Sequence, residues 1–137
     1  MNRRFCQPHS LEAVRWIVDA MNVIGTRPDG WWRDRHRAMV ALVDRLEQWA
    51  LADQADVTVV FEQPPDPMIT SEVVTVAHAP AAAADSADDE IVRLIDARSQ
   101  PGEVVVATSD RKLAARVAAA GATVFPAERL RDLIDPR

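Results

Sequence analysis

Short unbroken apolar runs alternate along this chain with longer stretches in which apolar positions recur every three or four residues. "RWIVDA" (15–20), "VTVVFE" (57–62), "EVVTVA" (72–77), "EVVVATSD" (103–110) and "ATVF" (122–125) are runs of the first kind. A strand buried on both faces has no polar side to alternate with, so these predict five covered strands, the third a candidate edge strand. Between Asp34 and about Ala52 the apolar positions are Met39, Leu42, Val43, Leu46, Trp49 and Ala50, the spacing of a helix with one apolar face. Further helices are predicted from 86 to about 98, over 111–120 with Gly121 as a stop, and over 127–134 ahead of Pro136. "MNVIGTRPDGWW" (21–32), with Gly25, Pro28 and Gly30, reads as a loop. Strands that mostly alternate with helices predict an α/β fold around a parallel sheet. Nothing in the pattern divides residues 1–137, so one domain is expected, with 1–13 as a loose N-terminal arm.

Composition narrows the class. Of the 137 residues, 48% are hydrophobic and 27% charged, as in ordinary globular domains. No stretch approaches the ~18 apolar residues of a membrane span. The basic start "MNRRFCQPHS" has no apolar run behind it, so a secretory leader is not expected. A single cysteine, Cys6, excludes an internal disulfide and a multi-cysteine zinc site. Together these point to the cytoplasm. The net charge of −5 weighs against a protein that grips nucleic acid through a basic surface. It weighs less if the acids gather in one cleft and are neutralised there by metal.

Where the acids fall is therefore the question. Open parallel sheets bind ligands beyond the carboxyl ends of their strands, where strand order reverses. Strand one ends at Asp19, strand two at Glu62, and strand four runs into Thr108, Ser109 and Asp110. "SADDEIVRLIDA" (86–97) adds three acids at one helix start. At about 100° per residue, Ile91, Val92, Leu94 and Ile95 form its buried face. Asp88, seven residues before Ile95, points the same way and should face the sheet edge; Asp89 turns to the side and Glu90 to solvent. Ser86 or Asp85 can cap the helix, and the extra carboxylates, Glu90 among them, suit the positive end of its dipole, but this does not explain an inward Asp88. Clustered carboxylates repel unless a divalent cation sits among them, and hard oxygen donors suit Mg²⁺ or Mn²⁺. Such an ion activates water and stabilises charge on a phosphate under attack. The expected chemistry is metal-assisted phosphodiester hydrolysis by Asp19, Asp88 and Asp110, with Asp89 as a further metal ligand. Glu62, Asn22, Thr108 and Ser109 stand in support. The plainer alternative for Asp110, Thr108 and Ser109 is that "TSD" caps the helix that follows.

"RPDGWWRDRHR" (27–37) brings together Arg27, Trp31, Trp32, Arg33, Arg35 and Arg37. Aromatic rings beside guanidinium groups stack bases and hold phosphates, so RNA contact is expected here. Against it stands the reading that one tryptophan covers the core and the arginines are solvated. His9, His36 and His78 form no metal-like pattern and read as surface.

"IVDAMNVIG", the "ADDEI" helix start and "VVATSDRKL" together resemble the NYN domain, in particular its YacP-like branch, within the PIN-like nuclease superfamily. The resemblance spans residues 15 to about 134. It implies a three-layer α/β/α domain with five parallel strands in the order 3-2-1-4-5, and a metal-dependent ribonuclease. It carries the family's acids onto Asp19, Asp88 with Asp89, and Asp110, and its asparagine onto Asn22. Three places depart from the family pattern: Ala20 follows Asp19 where glycine is frequent, Phe61-Glu62-Gln63 stands where "F-D-G" is frequent, and "FPAERL" after strand five lacks the expected serine pair. The leading expectation is an endoribonuclease with an RNA substrate, Mg²⁺ or Mn²⁺ and no membrane partner. A homo-oligomer or protein partner stays open. The alternative is a catalytically weak module that binds RNA or protein. A phospho-receiver fits poorly, because strand three ends in "VAHAP" and the only lysine, Lys112, follows strand four.

Overall fold

The computed structural model describes residues 14–80, 86–97 and 101–136. The arm expected at 1–13, with His9, and the cap expected from Asp85 lie outside these residues. Five parallel strands form one sheet: β1 (Arg15–Asp19), β2 (Asp56–Phe61), β3 (Thr75–His78), β4 (Val104–Ala107) and β5 (Thr123–Phe125). Their order is β3-β2-β1-β4-β5, so β1 pairs with both β2 and β4 at the sheet's centre. β3 is an edge strand, as its composition suggested.

Helices cover both faces. α1 (Ala20–Ile24), α2 (Arg35–Asp53) and α5 (Ala127–Ile134) share one core with Val18, Val57, Val59 and Phe61. α3 (Ser86–Asp96) and α4 (Arg111–Ala119) share the other with Ile17, Val60, Val104 and Val106. Neighbouring strand residues thus serve opposite cores, which is why the strands read as unbroken apolar runs.

The main departure from the sequence reading follows β1. Residues 20–24 form a helical turn, not a loop, with Ala20, Val23 and Ile24 buried at helical spacing. Its far end is held by a distant residue: the Arg131 guanidinium of α5 donates to the Val23 and Ile24 carbonyls at 3.2 and 3.1 Å. A cation at a helix carboxyl end satisfies carbonyls that the helix itself leaves open. The same Arg131 pairs with Asp29 and Asp135. The loop proper begins at Gly25 and ends in a 3-10 turn, Trp31–Arg33. Gly30 enters that turn at φ +86°, where a side chain is strained. α2 ends at Gln54 in the left-handed conformation, and Gly121 turns the chain from α4 to β5 at φ +90°. The other elements differ from expectation only at their ends, most at β3, which starts three residues later than the apolar run.

Candidate active site

The sheet's order reverses at β1, and the carboxyl ends of β1, β2 and β4 meet there. Asp19 closes β1 and is 7% exposed. Its carboxylate does not cap the helix it precedes. Instead Oδ2 accepts the Thr108 hydroxyl at 2.9 Å. Thr108 is buried just past β4, and its Oγ1 also accepts the Asp110 N–H at 3.1 Å. Burial pushes the Asp19 carboxyl up to about 7; the Thr108 bond opposes this, and the charges of Asp88, Asp110 and Glu62 add to it. Carboxylates from α3 and from beyond the ends of β2 and β4 therefore act on Asp19 at one sheet edge.

Asp88 is on the inward face of α3, 7% exposed, as its phase relative to Ile95 required. Asp110 does two things. Its Oδ1 caps α4, accepting from Lys112 and Leu113 N–H at 2.9 and 3.2 Å, while its charge still reaches Asp19. The capping reading of "TSD" is thus correct for Asp110, whereas Thr108 turns to Asp19. Ser109 braces a neighbouring element: it donates to Glu128 at 2.5 Å and accepts the Ala127 N–H that starts α5. Asn22, carried on α1, accepts the Ser109 N–H at 2.8 Å and so ties the ends of β1 and β4 together.

The remaining predicted residues are spread more widely. Asp89 is exposed and pairs with Arg116 of α4 at 2.9 Å. Glu62 is exposed beyond β2, 3.9 Å from Arg35. Glu90 is a correction: it does not face solvent but is 8% exposed. Arg93, one turn on, folds over it with bonds of 3.1 and 2.6 Å, holding its carboxyl below the usual range. Trp31 is half-buried against the core and Trp32 is 51% exposed, the division the sequence implied. The Arg35 guanidinium lies over the Trp31 ring and that of Arg33 over Trp32. Arg27 turns away to Asp132 and Asp135 near the end of α5. His36 and His78 are half-buried, each ring within 2.8 Å of a backbone carbonyl.

Sequence reasoning passed over Arg131 and Glu128, and gave Ser86 only a capping role. The Ser86 hydroxyl donates to the Glu62 carbonyl at 3.0 Å and joins α3 to the end of β2. Only Arg131 left a signal, a cation on an otherwise amphipathic helix, and the carbonyls it holds lie over a hundred residues away.

The donor set is all hard oxygen, a chemistry that suits Mg²⁺ or Mn²⁺. No three of these groups among the described residues stand at the spacing of a formed metal centre.

The family model of the YacP-like NYN domain matches residues 16–136. Two crystal structures of Rae1 (YacP) from Bacillus subtilis share the fold. A tryptophan-to-leucine variant matches with a TM-score of 0.72 and 25% identity over 88% of this chain and 74% of that one. The other matches with a TM-score of 0.67 and 24% identity over 87% and 72% of the two chains. No curated protein matches the chain. With its strand order, its nuclease-like and RNA-related architecture and this match across nearly its whole length, the chain belongs to the YacP-like NYN domain family.

Proposed function

We propose that this protein is a metal-dependent endoribonuclease whose chemistry is carried by Asp19, Asp88 and Asp110. The observation that supports it best is Asp19. It is buried, freed from capping and raised to about 7 in the company of three other carboxylates. Such a group destabilises the fold at neutral pH unless a cation offsets it, which a purely structural residue has no reason to do.

Asp19, Asp88 and Asp110 would hold Mg²⁺ or Mn²⁺, with Asp89 and Glu62 at the margin. When bound, the ion supplies water activation and charge neutralisation on the phosphate. The chain's own groups do the rest. The Thr108 hydroxyl fixes Oδ2 of Asp19, which sets the direction of Oδ1. Asp19 would give up its proton in holding a cation, adding its charge to those of Asp88, Asp110 and Glu62. Asn22 and Ser109 keep the ends of β1 and β4 in register. Arg35 and the exposed Trp32 with Arg33 offer phosphate and base contacts beside the acids.

The reading is tested by incubating a labelled RNA pool with Mn²⁺, Mg²⁺ or chelator, using wild type and Asp88→Asn. Internal cleavage that requires metal is expected, falling at least about a hundredfold in the variant with its fold intact. Absence of cleavage by folded wild type with either ion would favour the catalytically weak binding module.

A further inference from the structure

A second feature lies around the corner from the acids. A cleft of about 380 Å³ opens between the first half of α2, the 25–34 segment and the end of α5. Its apolar lining includes Ile24, Leu42, Ile134 and the half-buried Trp31. Deeper charges are matched: Arg131 and Arg45 pair with Asp29 and Asp135. Asp34 spends its carboxylate on the Arg37 N–H at the start of α2. Arg33 and Arg37 also line the cleft, and neither forms an ion pair among the described residues. The surplus charge is therefore cationic and sits beside an aromatic ring.

We propose that this cleft is a nucleotide subsite. It takes one unpaired nucleotide flanking the scissile bond of a single-stranded RNA. The base lies against Trp31 and the apolar lining, and the phosphate between Arg33 and Arg37. The proposal rests on the ribonuclease reading and adds where the substrate's flank is held. Three observations carry it. The volume is at the lower end of the roughly 300–1,000 Å³ of small-ligand clefts, so it suits one nucleotide and not a folded segment. The ring and the cations match a base and a phosphate together. The cleft is also linked to the acids: Arg35 lies over the Trp31 ring at 5.6 Å and reaches Glu62, whose charge acts on Asp19.

The test uses the full chain in chelator, so that no cleavage intervenes. Uridine 5′-monophosphate and a short single-stranded oligouridylate are titrated against ¹⁵N-labelled protein. Saturable shifts are expected at the Trp31 indole N–H and the Ala38 and Ala41 amides. Arg37→Ala, an exposed helix position, should weaken binding about tenfold, the loss of one charge-assisted phosphate contact. For the oligomer, the slope of log affinity against log salt should fall by roughly 0.7. Asp88→Asn should leave these shifts in place. Shifts confined to Thr108 and Ser109, or wild-type affinity in Arg37→Ala, would overturn the subsite. So would equal shifts from a glutamate-rich peptide, which would mark a protein ligand instead. Nucleotide shifts from a protein that never cleaves RNA would remove the nuclease reading and leave the cleft; cleavage without them would do the reverse.

Discussion

Asp19 shows how one residue can be read for function by what it declines to do. It stands where an N-cap belongs, yet its carboxylate bonds across the sheet to Thr108. Its unfolded-state pKa is near 3.8 and its folded value about 7. Between these the native state holds the extra proton, so this group's contribution to stability is full below pH 4 and is lost as pH rises through 7. Asp19→Asn keeps an acceptor for Thr108 and removes the charge. Without metal it should raise stability by ~1–3 kcal/mol at pH 8, with the gain shrinking toward pH 4, as urea denaturation at several pH values would register. A variant less stable than wild type at pH 8 would mean the carboxylate is not under strain. Asp110 separates differently. Asn caps a helix about as well as Asp, so Asp110→Asn should stay within ~0.5 kcal/mol of wild type while RNA cleavage collapses. A drop in stability equal to the loss of activity would return Asp110 to a purely structural role.

At the scale of elements, the site depends on α1 following β1 without a break. Helical phase made the inward aim of Asp88 legible, because seven residues bring the chain nearly back to the same face as Ile95. The same phase misplaced Glu90, since it ignores what lies alongside; Arg93, three residues on, supplies the cover that makes burial tolerable. α1 was not legible, because Gly25 and Pro28 signal a loop while the group that holds its carboxyl end, Arg131, comes from α5. Removing Arg131 leaves two backbone carbonyls and Asp29 without their donor, and takes one of three arginines from Asp135. Arg131→Met should therefore cost about 2–4 kcal/mol in urea denaturation at unchanged slope. Arg131→Lys should recover less than half of this, because one ammonium cannot meet partners arranged around a planar fork. Wild-type stability in either variant would mean α1 is held by its apolar contacts alone.

Across the whole molecule, strand order converts scattered acids into a site. β1 lies between β2 and β4, so residues 19, 62 and 110 arrive at one edge although the chain separates them widely. The net charge of −5 is compatible with an RNA substrate on this geometry, because part of the acid belongs to the cluster and the cations concentrate at Trp31–Arg37. The distribution of charge decides the partner more than its total. Among the described residues no helix is long and apolar enough to cross a membrane. The proposed function requires that the edge carboxylates form a divalent-cation site. Mn²⁺ titration by calorimetry, in buffers of different ionisation heat, tests this directly on wild type and Asp88→Asn. Saturable binding should release close to one proton at pH 6 and little above pH 8, as expected from ionisation of Asp19, and should be lost in the variant. A folded wild-type protein that takes up no Mn²⁺ at either pH would leave the buried acids without the cation that the proposed chemistry needs.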